Sequence, residues 1–283
     1  MEHNKKLDTK YKITWCPGCP NHRILDAAKI AISSLIKQGH DHKSFAMATG
    51  IGCHGKIFDY LNISGFYGLH GRTIPTAIGL KLGNPNLNVL AFAGDGDTYS
   101  EGIAHFIHAC KHNANINLFV HDNQSFSLTT GQATPTSQEG WQTKAEPQGK
   151  KGPPLNPLKL ALSAGATFIA RTNARDPAHT AEIMEKAIKH KGFSFVEIMQ
   201  DCVVFNLDIN NRDEHMYKLP EIPKTKEEAM KIADEFDYNH PLSSKIALGI
   251  LWQDTSRKAL DDEWPQLALI KKKKVQGWKG LKR

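Results

Sequence analysis

Two groups of residues in this sequence have the types and spacing to do chemistry. The first is Gly94-Asp95-Gly96-Asp97, which follows the apolar run Val89-Leu90-Ala91-Phe92-Ala93 and precedes a helix-periodic stretch. Glycines in such a turn let a phosphate approach the backbone, and the helix that follows presents its positive end to it. Asp95, between two glycines, is placed to reach a hard cation and not to serve the core. The next apolar run, residues 116–120, leads into His121-Asp122-Asn123, so Asn123 lies 28 positions after Asp95. In neighbouring parallel strands the two would stand at one sheet edge. A carboxylate, an amide oxygen, a backbone carbonyl and two phosphate oxygens compose an octahedral magnesium site. An ordinary turn with a capping asparagine is the competing reading.

The second group is made of cysteines. Cys16 and Cys19 form a Cys-x-x-Cys pair before a helical stretch, Cys53 sits in Gly52-Cys53-His54-Gly55, and Cys202 follows Gln200-Asp201. Two close thiolates and two distant ones can give four-coordinate sulfur ligation for zinc or for an iron–sulfur cluster. A zinc ribbon usually shows two tight pairs about twenty residues apart. Here Cys53 and Cys202 are single and 149 positions apart. That layout suits a cluster set against a substrate site better than a zinc knuckle. Cys110, on the inward face of a helix, reads as a core residue.

The elements that must position these residues alternate. Residues 21–37 carry Ile24, Leu25, Ala28, Ala31, Ile32, Leu35 and Ile36 at helical spacing. Strands are expected at 45–48, 89–93, 116–120, 167–170 and 193–199, with helices at 100–112 (Ile103, Phe106, Ile107 and Cys110 inward) and 176–190. Continuous apolar strands alternating with helices imply a parallel α/β sheet buried on both faces. Residues 129–157, rich in Gly, Pro, Thr, Gln and Lys, read as a long functional loop. Beyond 205 the pattern dissolves, apart from a surface helix at 224–236, with 219–223 and 238–242 as linker. The expected division is therefore 12–208, a ligand-binding domain, and 209–283, an irregular C-terminal extension.

Composition excludes other classes. The chain has 283 residues, 40% hydrophobic and 23% charged, ordinary for a globular protein and unlike a disordered or disulfide-stapled one. No stretch nears the roughly 18 apolar residues of a membrane span. The net charge of +7 is concentrated at the end: residues 271–283 hold seven Lys or Arg and no acid, and the rest balances at 29 basic against 29 acidic residues. A basic tail on a neutral body argues against a nucleic-acid-binding domain. The absence of an apolar signal segment and the odd count of five cysteines point to a reducing, cytoplasmic setting.

The motifs together resemble the β subunit of the 2-oxoacid:ferredoxin oxidoreductases. They are Trp-Cys-Pro-Gly-Cys (15–19), Gly-Ile-Gly-Cys-His-Gly-Lys (50–56), Leu-His-Gly-Arg-Thr-Ile-Pro (69–75) and Gly-Asp-Gly-Asp (94–97). Phe-Ile-His-Ala (106–109), the run from Asp122 to Thr136 and Gln-Asp-Cys-Val (200–203) follow in family order. One departure is Pro20, where the family commonly has glycine; it removes no ligand.

The resemblance implies a thiamine-diphosphate-binding fold of the diphosphate-binding type. It implies Asp95, Asn123 and the Ser125 carbonyl as magnesium ligands, and Cys16, Cys19, Cys53 and Cys202 as ligands of one 4Fe–4S cluster. Ile51, Gly52, Cys53, His54, His70, Gly94, Gly96, Asp97, Ser127 and Leu128 match positions facing the thiamine cofactor. His70, Lys56 and Leu128 match positions at the reacting centre, the last two lining the 2-oxoacid pocket, where a lysine suits a second carboxylate. The implied reaction is oxidative decarboxylation of a 2-oxoacid to acyl-coenzyme A and CO2, with electrons passing through the cluster to ferredoxin or a flavodoxin. The glutamate that activates thiamine comes in this family from the pyrimidine domain of an α subunit, so the chain is expected to act in a heterodimer. Neither nucleic acid nor membrane is an expected partner. The competing readings are a non-oxidative thiamine-dependent decarboxylase or synthase subunit, and a zinc-stabilised binding module.

Overall fold

The computed structural model describes residues 3–272 except 208, 210–212 and 242. The basic tail beyond 272 thus lies outside the described residues. Its first lysine, Lys271, pairs with Asp261 and Asp262, each at 2.6 Å.

Eight strands form one sheet: β1 (Phe45–Thr49), β2 (Ser64–Tyr67), β3 (Asn88–Gly94), β4 (Asn117–Asp122), β5 (Phe168–Asn173), β6 (Ser194–Met199), β7 (Met216–Lys218) and β8 (Ile246–Gln253). Their order is β2-β1-β3-β4-β6-β5-β8-β7. The first six run parallel; β8 joins β5 antiparallel. β1, β4, β5 and β6 are buried along their whole length, apolar in the main but with Arg171 of β5 and Glu197 of β6 paired inside the sheet.

The described residues form eight helices: α1 (Asn21–Lys37), α2 (Ile57–Tyr60), α3 (Thr73–Gly83), α4 (Ile103–His112), α5 (Pro157–Ala164), α6 (Pro177–Lys189), α7 (Lys226–Asp234) and α8 (Pro265–Lys271). α1, α2 and α6 pack their apolar residues on one face, and α3, α4, α5 and α7 on the other. Each face builds a core from the residues that helical periodicity selects.

The expected parallel α/β class holds, with α1 on its expected bounds. Several expectations are corrected. Ile107 of α4 is 37% exposed, not inward, whereas Phe106 and Cys110 are fully buried. The extension expected beyond 208 contributes β8, which pairs with β5 of the main sheet. Gly249, at φ 123°, interrupts the β8 apolar run. Tyr238, read as linker, is 2% exposed and packs with Phe236 and Met199.

Among the described residues, α2, α3, α5, α8, β2, β7 and β8 had no expected counterpart. α3 carries Pro75 in its first turn and Gly79 within it, both helix-disfavouring. α5 has only eight residues, fixed by the Asn156 cap on the Lys159 N–H at 3.1 Å and by Gly165 in the left-handed region. β2 is exposed along its length and has no buried face to mark it.

Candidate functional site

Parallel register brings the two groups of residues to one sheet edge. Gly94 of β3 lies opposite His121 of β4, and Asp122 opposite Met199 of β6. Asp95, Asn123 and the Gln200-Asp201-Cys202 segment therefore leave the sheet side by side at the carboxyl ends of their strands. β1 ends at the same edge and delivers Gly50 to Lys56. This is where open α/β sheets hold their ligands.

One cavity at this edge is lined by Ile51, Gly52, Cys53, His54, His70, Gly94, Asp95, Gly96, Asp97, Asn123, Ser125, Ser127 and Leu128. All the residues that the resemblance assigns to the thiamine cofactor and the magnesium are among them. His121, Phe126, Thr129 and Gln200 complete the lining and were not singled out in the sequence. The signal available for His121 was a histidine at the end of a buried apolar strand. Phe126 had no such signal, because its role is spatial: a Cβ on Gly96 would run into its ring.

Asp97 organises the histidines. It begins a π-helical turn, Asp97–Glu101, before α4. Its Oδ1 accepts from the Gly71 N–H at 2.6 Å and its Oδ2 from the Thr73 hydroxyl at 2.8 Å. His54 Nε2 and His70 Nδ1 each lie 3.6 Å from this carboxylate, and His70 Nδ1 is 3.0 Å from Glu101 Oε2. Burial pushes the Asp97 carboxyl up, but His54, Gly71 and Thr73 outweigh it and hold the group below the usual range. Gly50 packs so closely that a Cβ there would collide with Asp97 Oδ2 and Thr73 Oγ1.

Asp95 is surrounded differently. It is 2% exposed, and Thr136 Oγ1 stands 3.1 Å from its Oδ2 and 3.1 Å from Asp122 Oδ1. Burial pushes the Asp95 carboxyl up to about 6, against the hydroxyls of Thr134 and Thr136 and the N–H groups at 95 and 96. Burial, then the Asp95 and Glu197 carboxylates, push Asp122 well above the usual range. Two buried carboxylates around one hydroxyl call for a cation.

Asn123 accepts from the Ser125 N–H at 3.1 Å and donates to Ser127 Oγ at 3.0 Å. This local turn fixes the loop, and Asn123 and Ser125 line the same cavity as Asp95. Among the described residues, His121 Nε2, Thr98 Oγ1 and Ser125 Oγ are buried without a hydrogen-bond partner. Such orphaned polar atoms fit a polar ligand. The donor set fits a magnesium–diphosphate group on these grounds.

A second cavity is lined by all four expected cysteines, Cys16, Cys19, Cys53 and Cys202, with Thr14, Trp15, Lys56 and Leu128. It shares Cys53, Asn123, Ser127 and Leu128 with the first. Cys16 is exposed, Cys19 and Cys53 are half-buried, and Cys202 is buried. Burial raises the Cys53 thiol to about 11, and the other three cysteines push in the same direction while Lys56 opposes them. Burial also raises Cys19, opposed by Asn21 and assisted by Cys16 and Cys202. Thiols that disfavour one another's ionisation need added positive charge to become thiolates, which a metal cluster supplies.

Among the described residues, no three His, Cys, Asp or Glu side chains converge closely enough to hold a single ion. The four thiols border a cavity without meeting at a point. Four thiols around one pocket are the donor type that an iron–sulfur cluster or a zinc ion would take.

Local structure sets the cysteines. The Cys19 N–H donates to the Cys16 carbonyl at 3.1 Å, with Gly18 at φ 79° in the left-handed region. Pro20 then leads into α1, its φ of −64° suited to that place. Trp15 Nε1 donates to the Cys53 carbonyl at 2.7 Å. Asn21, the first residue of α1, meets His121 Nδ1 at 2.7 Å. Lys56 Nζ donates to Thr14 Oγ1 at 3.3 Å, on the cysteine side of the shared wall, while Leu128 borders both cavities.

The family model for the thiamine pyrophosphate enzyme C-terminal TPP binding domain matches residues 50–198. A 2-oxoacid:ferredoxin oxidoreductase subunit beta from Saccharolobus solfataricus is 41% identical over 85% of this chain and 78% of its own. The 2-oxoglutarate synthase subunit KorB from Archaeoglobus fulgidus is 39% identical over 66% of this chain and 69% of its own. A solved structure, described as 2-oxoglutarate:ferredoxin oxidoreductase from Magnetococcus marinus with 2-oxoglutarate, coenzyme A and succinyl-CoA bound, superposes with a TM-score of 0.84. It is 32% identical and covers 95% of this chain and 89% of its own.

Proposed function

The chain belongs to the β subunits of 2-oxoacid:ferredoxin oxidoreductases and carries their thiamine pyrophosphate-binding domain; from that premise we propose how its residues divide the work. The carrying observation is the wall common to the two cavities, made of Cys53, Asn123, Ser127 and Leu128. It sets the cofactor cradle directly against the four thiols.

Thiamine diphosphate, when bound, supplies the carbanion chemistry and the electron sink for decarboxylating a 2-oxoacid. Asp95, the Asn123 amide oxygen and the Ser125 carbonyl hold magnesium, which ties down the diphosphate. Gly94 and Gly96 allow the close backbone approach, and the start of the following helical turn faces the phosphates. Asp97 orients His54 and His70, and His70 is the side chain positioned to exchange a proton with the substrate. Cys16, Cys19, Cys53 and Cys202 would hold a 4Fe–4S cluster, with Cys202 buried, Cys19 and Cys53 half-buried and Cys16 open to solvent.

Leu128 borders the cofactor cavity, whereas Lys56 lines only the thiol pocket, from which its ammonium would have to reach across the shared wall to meet a substrate. An ammonium at Lys56 suits a second carboxylate, so 2-oxoglutarate is the substrate we assign, with other 2-oxoacids accepted. Coenzyme A is the acyl acceptor, by likeness to the ligands of the Magnetococcus marinus relative. An α subunit supplies the activating glutamate. His70 at this rim is flanked by Leu69, 73% exposed, an apolar edge suited to a partner chain.

The test is cofactor content in the purified αβ complex. Asp95→Ala should lose thiamine diphosphate and keep iron, and Cys53→Ser should lose iron. Cys110→Ser should keep both. Retention of thiamine diphosphate by Asp95→Ala, or iron loss in Cys110→Ser equal to that in Cys53→Ser, contradicts the division. For the substrate, Lys56→Ile should lower kcat/KM for 2-oxoglutarate relative to pyruvate by roughly ten- to a hundredfold, the worth of one desolvated charged hydrogen bond. An unmoved ratio removes Lys56 from substrate recognition.

A further inference from the structure

Of the four cysteines, only Cys16 is exposed, so the thiol pocket opens to solvent on the side of the N-terminal strip. That strip has an unusual surface. Residues 3–20 carry four lysines and one carboxylate, Asp8. Asp8 is already engaged by Lys29 and His3, each at 2.7 Å. Lys10 and Lys12 are exposed. Between and beside them stand Tyr11, 60% exposed, and Ile13, 36% exposed. Val204, 59% exposed, belongs to the lining of the thiol pocket itself. Large apolar side chains in the open, alternating with lysines along the segment that leads into the pocket at Thr14, have the anatomy of a transient interface.

The strip is also held rigidly to what it would serve. The Thr14 N–H donates to the Tyr60 hydroxyl at 3.0 Å, and Thr9 Oγ1 donates to the Asp59 carbonyl at 2.7 Å. Trp15 stacks edge-on against Tyr60 with centroids 4.8 Å apart. Lysines on such a strip keep a fixed position relative to Cys16.

We propose that the Lys10–Lys12 strip beside Cys16 is the docking surface for an acidic one-electron carrier protein, the ferredoxin of the reaction. The inference rests on the four-cysteine cluster assigned above and adds where its electrons leave. Each docking event transfers one electron, oxidising the cluster and reducing the carrier, with no proton or group moved. Two events discharge the pair released per 2-oxoacid oxidised. Such encounters bury little area and depend on charge steering for their rate.

The test uses the intact αβ complex and a recombinant acidic ferredoxin as probe, with binding read by interferometry at low and high salt. Lys10→Glu with Lys12→Glu should weaken ferredoxin binding about tenfold or more at low salt, and the difference should shrink as salt screens the pair. Reduction of methyl viologen, a small cation with no need of a protein dock, should stay at the wild-type rate. Lys224→Glu with Lys231→Glu, on and beside α7, makes the same change in net charge and should leave binding intact. Unchanged ferredoxin affinity in the first variant, or an equal loss in the second, overturns the assignment. Loss of the α subunit from the first variant does so too, since it marks the strip as a subunit contact. If 2-oxoglutarate fails to reduce iron in the wild-type complex, the cluster assignment itself falls, a failure separable from the others because no variant is involved.

Discussion

The indole N–H of Trp15 reaches across 2.7 Å to the carbonyl of Cys53, joining two segments 38 positions apart. One carries the Cys16–Cys19 pair, and the other carries the residues facing the thiamine cradle. A single side chain thus keeps three of the four thiols in register with the cofactor cavity.

Trp15→Phe keeps an aromatic ring against Tyr60 but removes this donor and leaves a carbonyl unsatisfied. The expected cost is about 1 kcal/mol of stability, together with faster loss of iron under oxidising conditions. Denaturant titration and timed iron analysis read the two effects. Wild-type iron retention would show that the bond plays no part in holding the thiols.

Thr136 has one proton and two carboxylates, Asp95 and Asp122, at equal distance. Thr136→Val should weaken magnesium and thiamine diphosphate binding by roughly ten- to a hundredfold, the worth of an orphaned buried acceptor. Thr136→Ser should restore most of it. Calorimetric titration of the complex decides; equal binding in both variants removes Thr136 from positioning Asp95.

Asp95 gives a pH dependence whose direction is fixed. Its carboxyl is raised from 3.8 to about 6 in the folded chain, mainly by burial. Without a bound cation, its contribution is complete below the unfolded value near 4 and is lost as pH climbs through about 6. Subtracting the stability curve of Asp95→Asn from that of the wild type should expose this fall between those values. Magnesium needs the ionised form, so its affinity should decline as pH drops below about 6. A flat difference curve contradicts the burial argument.

Deeper in the sheet, Arg171 Nε donates to Glu197 Oε2 at 2.6 Å, and the Tyr238 hydroxyl donates to Glu197 Oε1 at 2.6 Å. All three side chains are buried. Arg171→Leu strands a buried carboxylate and should cost about 3–5 kcal/mol, whereas Tyr238→Phe should cost about 1–3 kcal/mol. Chemical denaturation of both variants checks the order. If Tyr238→Phe is neutral, the segment around 238 does not depend on this network.

Tyr238 also marks the limit of what the sequence reveals. The central strands and α1 are legible because unbroken apolar runs and helical spacing are local signals. The ligand cradle is legible because glycine and aspartate in that turn carry a mechanism in themselves. Tyr238 and β8 gain their roles only from partners far along the chain, Glu197 and β5, and no local pattern announces those. The same holds for Phe126, whose place is set by Gly96, and for Thr136, set by two carboxylates on different strands. Lys56 shows the opposite case: its proximity to Cys53 is evident from spacing, while its hydrogen bond to Thr14 puts it on the cysteine side of the shared wall.

The most direct test is the anaerobic absorbance of the purified αβ complex on addition of 2-oxoglutarate and coenzyme A, in wild type and in Asp95→Ala. The wild-type complex should be brown, with about four irons per β chain, and should bleach as substrate electrons reach the cluster. The Asp95→Ala complex should keep its colour and its iron but not bleach, because the thiols are intact and the cradle is not. A colourless wild-type protein, or undiminished bleaching in Asp95→Ala, would contradict the pairing of a thiamine cradle with a four-cysteine cluster across one wall.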